Sequence, residues 1–272
     1  MLSTRQNYSS SNPILIEAAR RAIENRNVRE KNNPALMAER AGLAPDPWQA
    51  DVLTSHEREI ILLCSRQSGK STVSSVLAAH EAVYSPGSLS LLLSPSLRQS
   101  QELFRKLKDV LAGLRSAMEI VEESALRLEY ANGSRIIALP GKEATIRGFS
   151  GVDLLIVDEA SRVPDELYQA IRPMLAVSGG RIVLLSTPFG KRGFFFHEWT
   201  EGGDQWQRVK ITAYECPRIN KEWLDSERKL IGDWWFKQEY LCSFVETLDQ
   251  VFSYEHIRAA LDYELQPLSF GI

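Results

Sequence analysis

Short, largely apolar runs punctuate the chain at residues 60–64, 89–93, 152–157 and 179–185, interrupted only by Ser90, Asp153 and Gly179-Gly180-Arg181. Runs of this length, without alternation, are what strands buried on both faces of a parallel sheet look like. Between them the apolar positions follow helical spacing. This predicts helices over residues 72–84, 96–111 and 165–176, a shorter helix over 194–199 and a further strand over 206–213. Ser96 stands where an N-cap belongs, its hydroxyl able to accept from the first turn. Residues 125–130 and 135–139 alternate apolar and polar about Asn132-Gly133, which predicts a hairpin added antiparallel to a mainly parallel sheet.

The two ends of the chain read differently. Residues 1–12 are rich in Ser and Asn and read as frayed. Pro13 suits the start of a helix, with Ile14, Leu15, Ala18 and Ala22 on one face, and a short second helix is predicted over residues 34–41. Arg20, Arg21, Arg26, Arg29 and Lys31 are interspersed with Glu17, Glu24 and Glu30, the pattern of a solvated face rather than of a nucleic-acid contact. After Cys216 the chain turns helical and aromatic over residues 220–240, with Trp223, Trp234, Trp235, Phe236 and Tyr240. This reads as a small subdomain packed on the sheet, its aromatics forming core rather than a base-stacking platform.

With 44% hydrophobic and 25% charged residues, the 272-residue chain can bury one large core plus a small appendage. Its formal net charge of -3 excludes nucleic-acid binding by bulk charge, so any such site is a local patch or arises in an oligomer. Cys64, Cys216 and Cys242 are odd in number and far apart, which suits a reducing compartment and gives no metal-ligand spacing. No apolar run reaches membrane-spanning length and the N-terminus lacks a signal-peptide core. The composition reads as a soluble cytosolic protein without a membrane partner.

The candidate chemistry begins where the first apolar run stops. Ser65-Arg66-Gln67-Ser68-Gly69-Lys70-Ser71-Thr72 lies between a predicted strand and a predicted helix, the context a phosphate-binding loop requires. Backbone N–H groups and the helix dipole converge there on an anion. Gly69 permits close backbone approach, Lys70 would reach the β- and γ-phosphates of ATP, and the Ser71 hydroxyl would ligate Mg²⁺. Arg66 adds a second cation for phosphate charge. Cys64 holds the position where the general loop pattern has its first glycine.

Further motifs follow. Asp158-Glu159 ends the apolar run 152–157, placing two acids at a strand's carboxyl end. Asp158 would help hold Mg²⁺ and Glu159 would polarise the attacking water. Ser186-Thr187-Pro188 ends the next strand, with hydroxyls able to meet the γ-phosphate or the water and relay its loss. Trp48-Gln49 precedes the loop, and the Gln49 amide can match an adenine edge. Arg147 sits in a glycine-flanked loop just before the acidic strand.

Residues 65–72, with an arginine inside the loop, resemble the variant P-loop of large terminase subunits, the DNA-packaging motors of tailed phages and herpesviruses. Trp48-Gln49 resembles that family's adenine motif, residues 155–160 its second nucleotide motif, and Ser186-Thr187-Pro188 its coupling motif, in the family's order. The resemblance spans roughly residues 45–250. It implies an additional-strand, RecA-like P-loop NTPase of the α/β class. A mainly parallel central sheet would be flanked by helices, with the Ser186 strand between the P-loop strand and the Asp158 strand. It further implies three parts: an N-terminal helical extension (1–44), an ATPase core (45–215) and a helical lid or linker subdomain (216–272) leading toward a nuclease domain that this sequence does not include.

By the same resemblance, Arg147 would be an arginine finger acting on a neighbouring subunit. Partners would be double-stranded DNA, further copies in a ring, a portal protein and a small terminase subunit, with the protein in the host cytoplasm and transiently docked on a procapsid. Two rivals share the motifs: a superfamily 2 helicase, which would need a second RecA-like domain, and a nucleotide-binding scaffold without turnover.

Overall fold

The computed structural model describes residues 13–114, 119–141 and 148–246, together with 256, 259 and 260. Two helices, α1 (Pro13–Asn32) and α2 (Pro34–Arg40), precede α3 (Pro47–Thr54). Then follow β1 (Glu59–Cys64), α4 (Lys70–Tyr84), β2 (Leu89–Ser94), α5 (Leu97–Gly113), β3 (Ile120–Glu123), β4 (Arg127–Tyr130) and β5 (Arg135–Pro140). The remainder is β6 (Leu154–Asp158), α6 (Asp165–Ile171), β7 (Arg181–Ser186), α7 (Gly193–Thr200), β8 (Trp206–Ile211) and α8 (Lys221–Glu239). Among the described residues the strands form one eight-stranded sheet in the order β3-β4-β5-β2-β6-β7-β1-β8. It is parallel from β5 to β8, and β4 runs antiparallel to both β3 and β5.

The runs carry apolar residues at consecutive positions because both sheet faces are covered. Ile60 and Leu62 turn toward a core shared with α2 to α5, whereas Ile61 and Leu63 turn toward a second core beneath α6 and α7. The same alternation carries Ile156 to the first core and Leu155 and Val157 to the second. Cys64 ends β1 fully buried in the first core, and burial pushes its thiol up to about 12. A small apolar side chain suits that place better than glycine would, because the chain leaves the extended strand only after it.

The hairpin forms as read, with Gly133 at φ +83 in its turn. Its second strand, β5, also pairs in parallel with β2, so the antiparallel addition is β4 with β3 outside it. β3 is exposed throughout and has no alternation to betray it. The helix expected over residues 165–176 stops at Ile171 and tightens to a 3₁₀ turn over Arg172–Leu175, because Pro173 has no N–H to continue the ladder. α8 breaks at Gly232 (φ +78, ψ 159). The aromatic group is split accordingly: Phe236 is buried with Leu224, while Trp223 and Trp235 stay 49% and 46% exposed, so only part of it is core.

α1 also departs from expectation. Ala18 and Ala22 are exposed, and the helix is tied down near its C-terminal end. There the buried Glu30 carboxylate accepts from Arg40 Nε at 2.8 Å and Tyr84 Oη at 2.7 Å. α2 contributes Met37 and Ala38 to the first core. The readings made for residues 1–12, and for the chain beyond 246 apart from 256, 259 and 260, lie outside the described residues.

Candidate functional site

The strand-to-helix loop between β1 and α4 is shaped for an anion. Gln67 (φ +60) and Gly69 (φ +91) take left-handed backbone conformations. Among the described residues, the N–H groups of Gln67, Ser68, Gly69, Lys70 and Ser71 donate to no protein acceptor, and all of these residues but the buried Ser68 line one concavity at the start of α4. Ser65 is fully buried; its N–H is fixed on Ile211 of β8 at 2.9 Å, and its carbonyl accepts from Ser68 Oγ at 2.9 Å. A Cβ on Gly69 would stand 2.5 Å from Gln49 Nε2, so only glycine fits.

Facing this loop, Lys70 Nζ lies 3.2 Å from Glu159 Oε1. Asp158 is buried beside them, and the desolvation of its carboxyl together with the Glu159 charge pushes its pKa up to about 6. Glu159 itself sits in the left-handed region (φ +50), which turns its side chain out of the strand toward the loop. Lys70 and Glu159 border a polar cavity of about 600 Å³ with Arg66, Ser71, Thr72, Gln99, Lys106 and Arg162 on its walls, and Asp158 is buried behind them. Lys70, Ser71, Asp158 and Glu159 are therefore brought together from two strand ends.

Ser186 and Thr187 are placed otherwise. The register sets Ser186 level with Leu63, one residue short of the end of β1, so the β7 terminus lies behind the loop. Ser186 Oγ meets Ser161 Oγ at 2.7 Å, and Ser161 Oγ donates to the Thr187 carbonyl at 2.8 Å. Neither residue is among those lining the cavity. The hydroxyl expected at a phosphate instead ties the end of β7 to the turn that carries Glu159. Ser161, which the sequence reading gave no role at this site, is the link.

Gln49 is also used differently. Its Oε1 accepts from the Asp46 N–H at 2.8 Å, and its Nε2 donates to the Ser68 and Gly69 carbonyls at 3.5 and 3.4 Å. The amide assigned to an adenine edge thus lies against the loop backbone. Gln49 nevertheless borders an apolar cavity of about 320 Å³ with Leu43, Pro45, Leu53, Val73 and Val76, beside the phosphate-type concavity. Arg66 pairs with Glu239 of α8, and its N–H donates to the Glu239 carbonyl at 3.3 Å, so the cation read as a phosphate ligand is held by the subdomain after β8. Arg147 lies outside the described residues.

Five residues lining the polar cavity had no predicted role there: Gln99, Lys106, Arg162, Arg218 and Ile219. Lys106 shares a face of α5 with Gln99, seven residues earlier, and that spacing was legible. Arg162 follows the acidic pair directly. Arg218 had no local signal: it reaches back from the segment after β8 to donate to the Ser68 carbonyl at 2.8 Å and to Asp46 Oδ1 at 2.7 Å.

The family model described as terminase large subunit, T4likevirus-type, N-terminal, matches residues 61–259. The chain belongs to the large terminase subunit family. The large terminase subunit of Thermus virus P23-45 is 28% identical over 258 residues, covering 82% of this chain and 53% of that protein. The chain thus spans about half the length of the curated relatives it matches. Among solved structures, the large terminase ATPase domain of Thermus phage P74-26 superposes with a TM-score of 0.69 at 25% identity, covering 76% of this chain and 97% of that one. A large terminase from a thermophilic bacteriophage, solved with ADP, shares the fold at 15% identity and a TM-score of 0.62, covering 73% of this chain and 53% of that one. The terminase match sets aside the helicase reading, and the order β6-β7-β1 is the one the terminase resemblance implied.

Proposed function

We propose that this terminase chain hydrolyses ATP and acts as a motor domain that moves double-stranded DNA into a procapsid. The observation that carries the reading is the Lys70–Glu159 contact of 3.2 Å at the ends of β1 and β6, under a loop of unpaired N–H donors. The loop binds phosphate oxygens by those donors, and Lys70 adds its charge. Lys70 and Glu159 hold each other before substrate arrives. A triphosphate competes for Lys70, and the freed Glu159 carboxylate can then orient and deprotonate water. Ser161 passes any shift of the Glu159 turn to Ser186 and Thr187, and so to the segment following β7.

The donor set also fits Mg²⁺. Asp158 and Glu159 set two carboxylates side by side at the end of β6, where burial and the neighbouring charge both disfavour ionised Asp158 and a divalent cation would offset them, and Ser71 borders the cavity that Glu159 lines. Ser71 and Asp158 would hold the ion, which would neutralise charge on the β- and γ-oxygens. Arg147 is the proposed finger, supplied by a neighbouring copy in a ring. The same ring would gather one modest basic surface per subunit around DNA phosphates. A portal protein and a small terminase subunit are the remaining proposed partners, with action at a procapsid in the host cytoplasm.

The test is ATP turnover per subunit against protein concentration, with and without double-stranded DNA. Turnover that rises with concentration supports catalysis completed between subunits. Lys70→Ala should abolish it, and unchanged turnover in that variant refutes the site. Binding of ATP without turnover at any concentration, with DNA present, would favour the scaffold reading.

A further inference from the structure

The apolar cavity beside α3 and the polar cavity over the loop share three residues on their common rim: Gly69, Thr72 and Arg218. One space, about 320 Å³ and walled by Leu43, Pro45, Leu53, Val73 and Val76, suits a planar base. The other, with Lys70, Ser71 and Glu159, suits the terminal phosphates. A nucleotide occupying both must pass its ribose and first phosphate across that rim. Gly69 contributes only backbone there and Thr72 a neutral hydroxyl, so Arg218 is the cation at the crossing.

The Arg218 guanidinium is prepared for an anion. It is aimed by two fixed acceptors, Asp46 Oδ1 at 2.7 Å and the Ser68 carbonyl at 2.8 Å, and Asp46 is 8% exposed. Gln49 shares the Ser68 carbonyl from the other side, so the fork is locked against the loop. The Arg218 side chain remains 47% exposed, and a guanidinium carries five N–H donors, more than these contacts occupy. Planar donors held by a carboxylate and turned to an open rim are the arrangement that takes a phosphate oxygen.

We infer that Arg218 is a nucleotide-binding residue that grips the phosphate nearest the ribose, from the segment connecting β8 to α8. This rests on the nucleotide reading above. It also gives the subdomain after β8 a direct contact with the nucleotide, beside its hold on Arg66.

The experiment is calorimetric titration of the whole chain, and of Arg218→Ala and Arg218→Lys, with ATP, ADP and inorganic pyrophosphate. Pyrophosphate fills the loop and leaves the rim empty. Arg218→Ala should weaken ATP and ADP by roughly 10- to 100-fold, the scale of a charge-assisted hydrogen bond, and leave pyrophosphate unchanged. Arg218→Lys should fall between, keeping the charge without the fork. Equal weakening of all three ligands would mean that Arg218 only braces the loop, and would overturn the inference, as would unchanged ATP affinity. Failure of the parent chain to bind either nucleotide would overturn the nucleotide reading as well, and is seen before any variant is made.

Discussion

Asp158→Asn should make the nucleotide-free, metal-free protein more stable while destroying its activity. The Asp158 carboxyl is buried at the end of β6, where burial and the Glu159 charge raise its pKa from the ordinary 3.8 to about 6. The native state therefore holds this proton more tightly than the unfolded chain does. The sign follows: as pH rises from 3.8 toward 6, the native state loses stability relative to the unfolded one, and above that window the penalty is complete. Its size is on the order of 3 kcal/mol if nothing relaxes, and about 1–3 kcal/mol with local hydration. Asparagine carries no charge and keeps the oxygen that accepts from the Glu159 N–H at 3.0 Å. Calorimetric melts in EDTA should show the variant and parent close together at about pH 4, separating through about pH 6 and reaching a melting-temperature gain of roughly 3–8 °C at about pH 8. A variant no more stable than the parent at the alkaline end, or a gain that shrinks as pH rises, would refute the argument that Asp158 ionises at a cost in its buried place.

Three other outcomes follow from the geometry. Gly69→Ala places a Cβ 2.5 Å from Gln49 Nε2 at φ +91, a backbone region costing an alanine about 1–2 kcal/mol, so ATP affinity should drop at least roughly tenfold by calorimetry with the helical circular dichroism retained. Ser161→Ala strips the Thr187 carbonyl and the fully buried Ser186 hydroxyl of a partner, and should cost about 1–3 kcal/mol in denaturant unfolding; an unshifted midpoint would mean that the β6 and β7 ends are not tied through this side chain. Arg147→Ala should retain ATP binding in titration and lose hydrolysis, and hydrolysis at the parental rate would place the finger elsewhere.

Much of this protein is local information. Both faces of the sheet are covered, so β1, β2, β6 and β7 announce themselves as largely apolar runs without regular alternation. The loop over residues 65–72 must deliver a glycine, a lysine and a hydroxyl at fixed offsets, because a phosphate is met by consecutive backbone groups. The Asn132-Gly133 turn and the Ser96 cap are likewise written in adjacent residues. Contacts between distant segments were not legible in the same way. β3 is a strand only because β4 pairs with it, since its own side chains are exposed. The phosphate-loop arginine, Arg66, meets a carboxylate 173 positions away, and Gln49 lies against the Ser68 and Gly69 carbonyls. Ser186 stops behind the loop because strand register, which no single segment encodes, sets it level with Leu63. Arg218 has no periodicity or motif around it. Its place at the rim follows from where the chain returns after β8, and the folded arrangement alone decides which long-range partner a flexible, charged side chain finds.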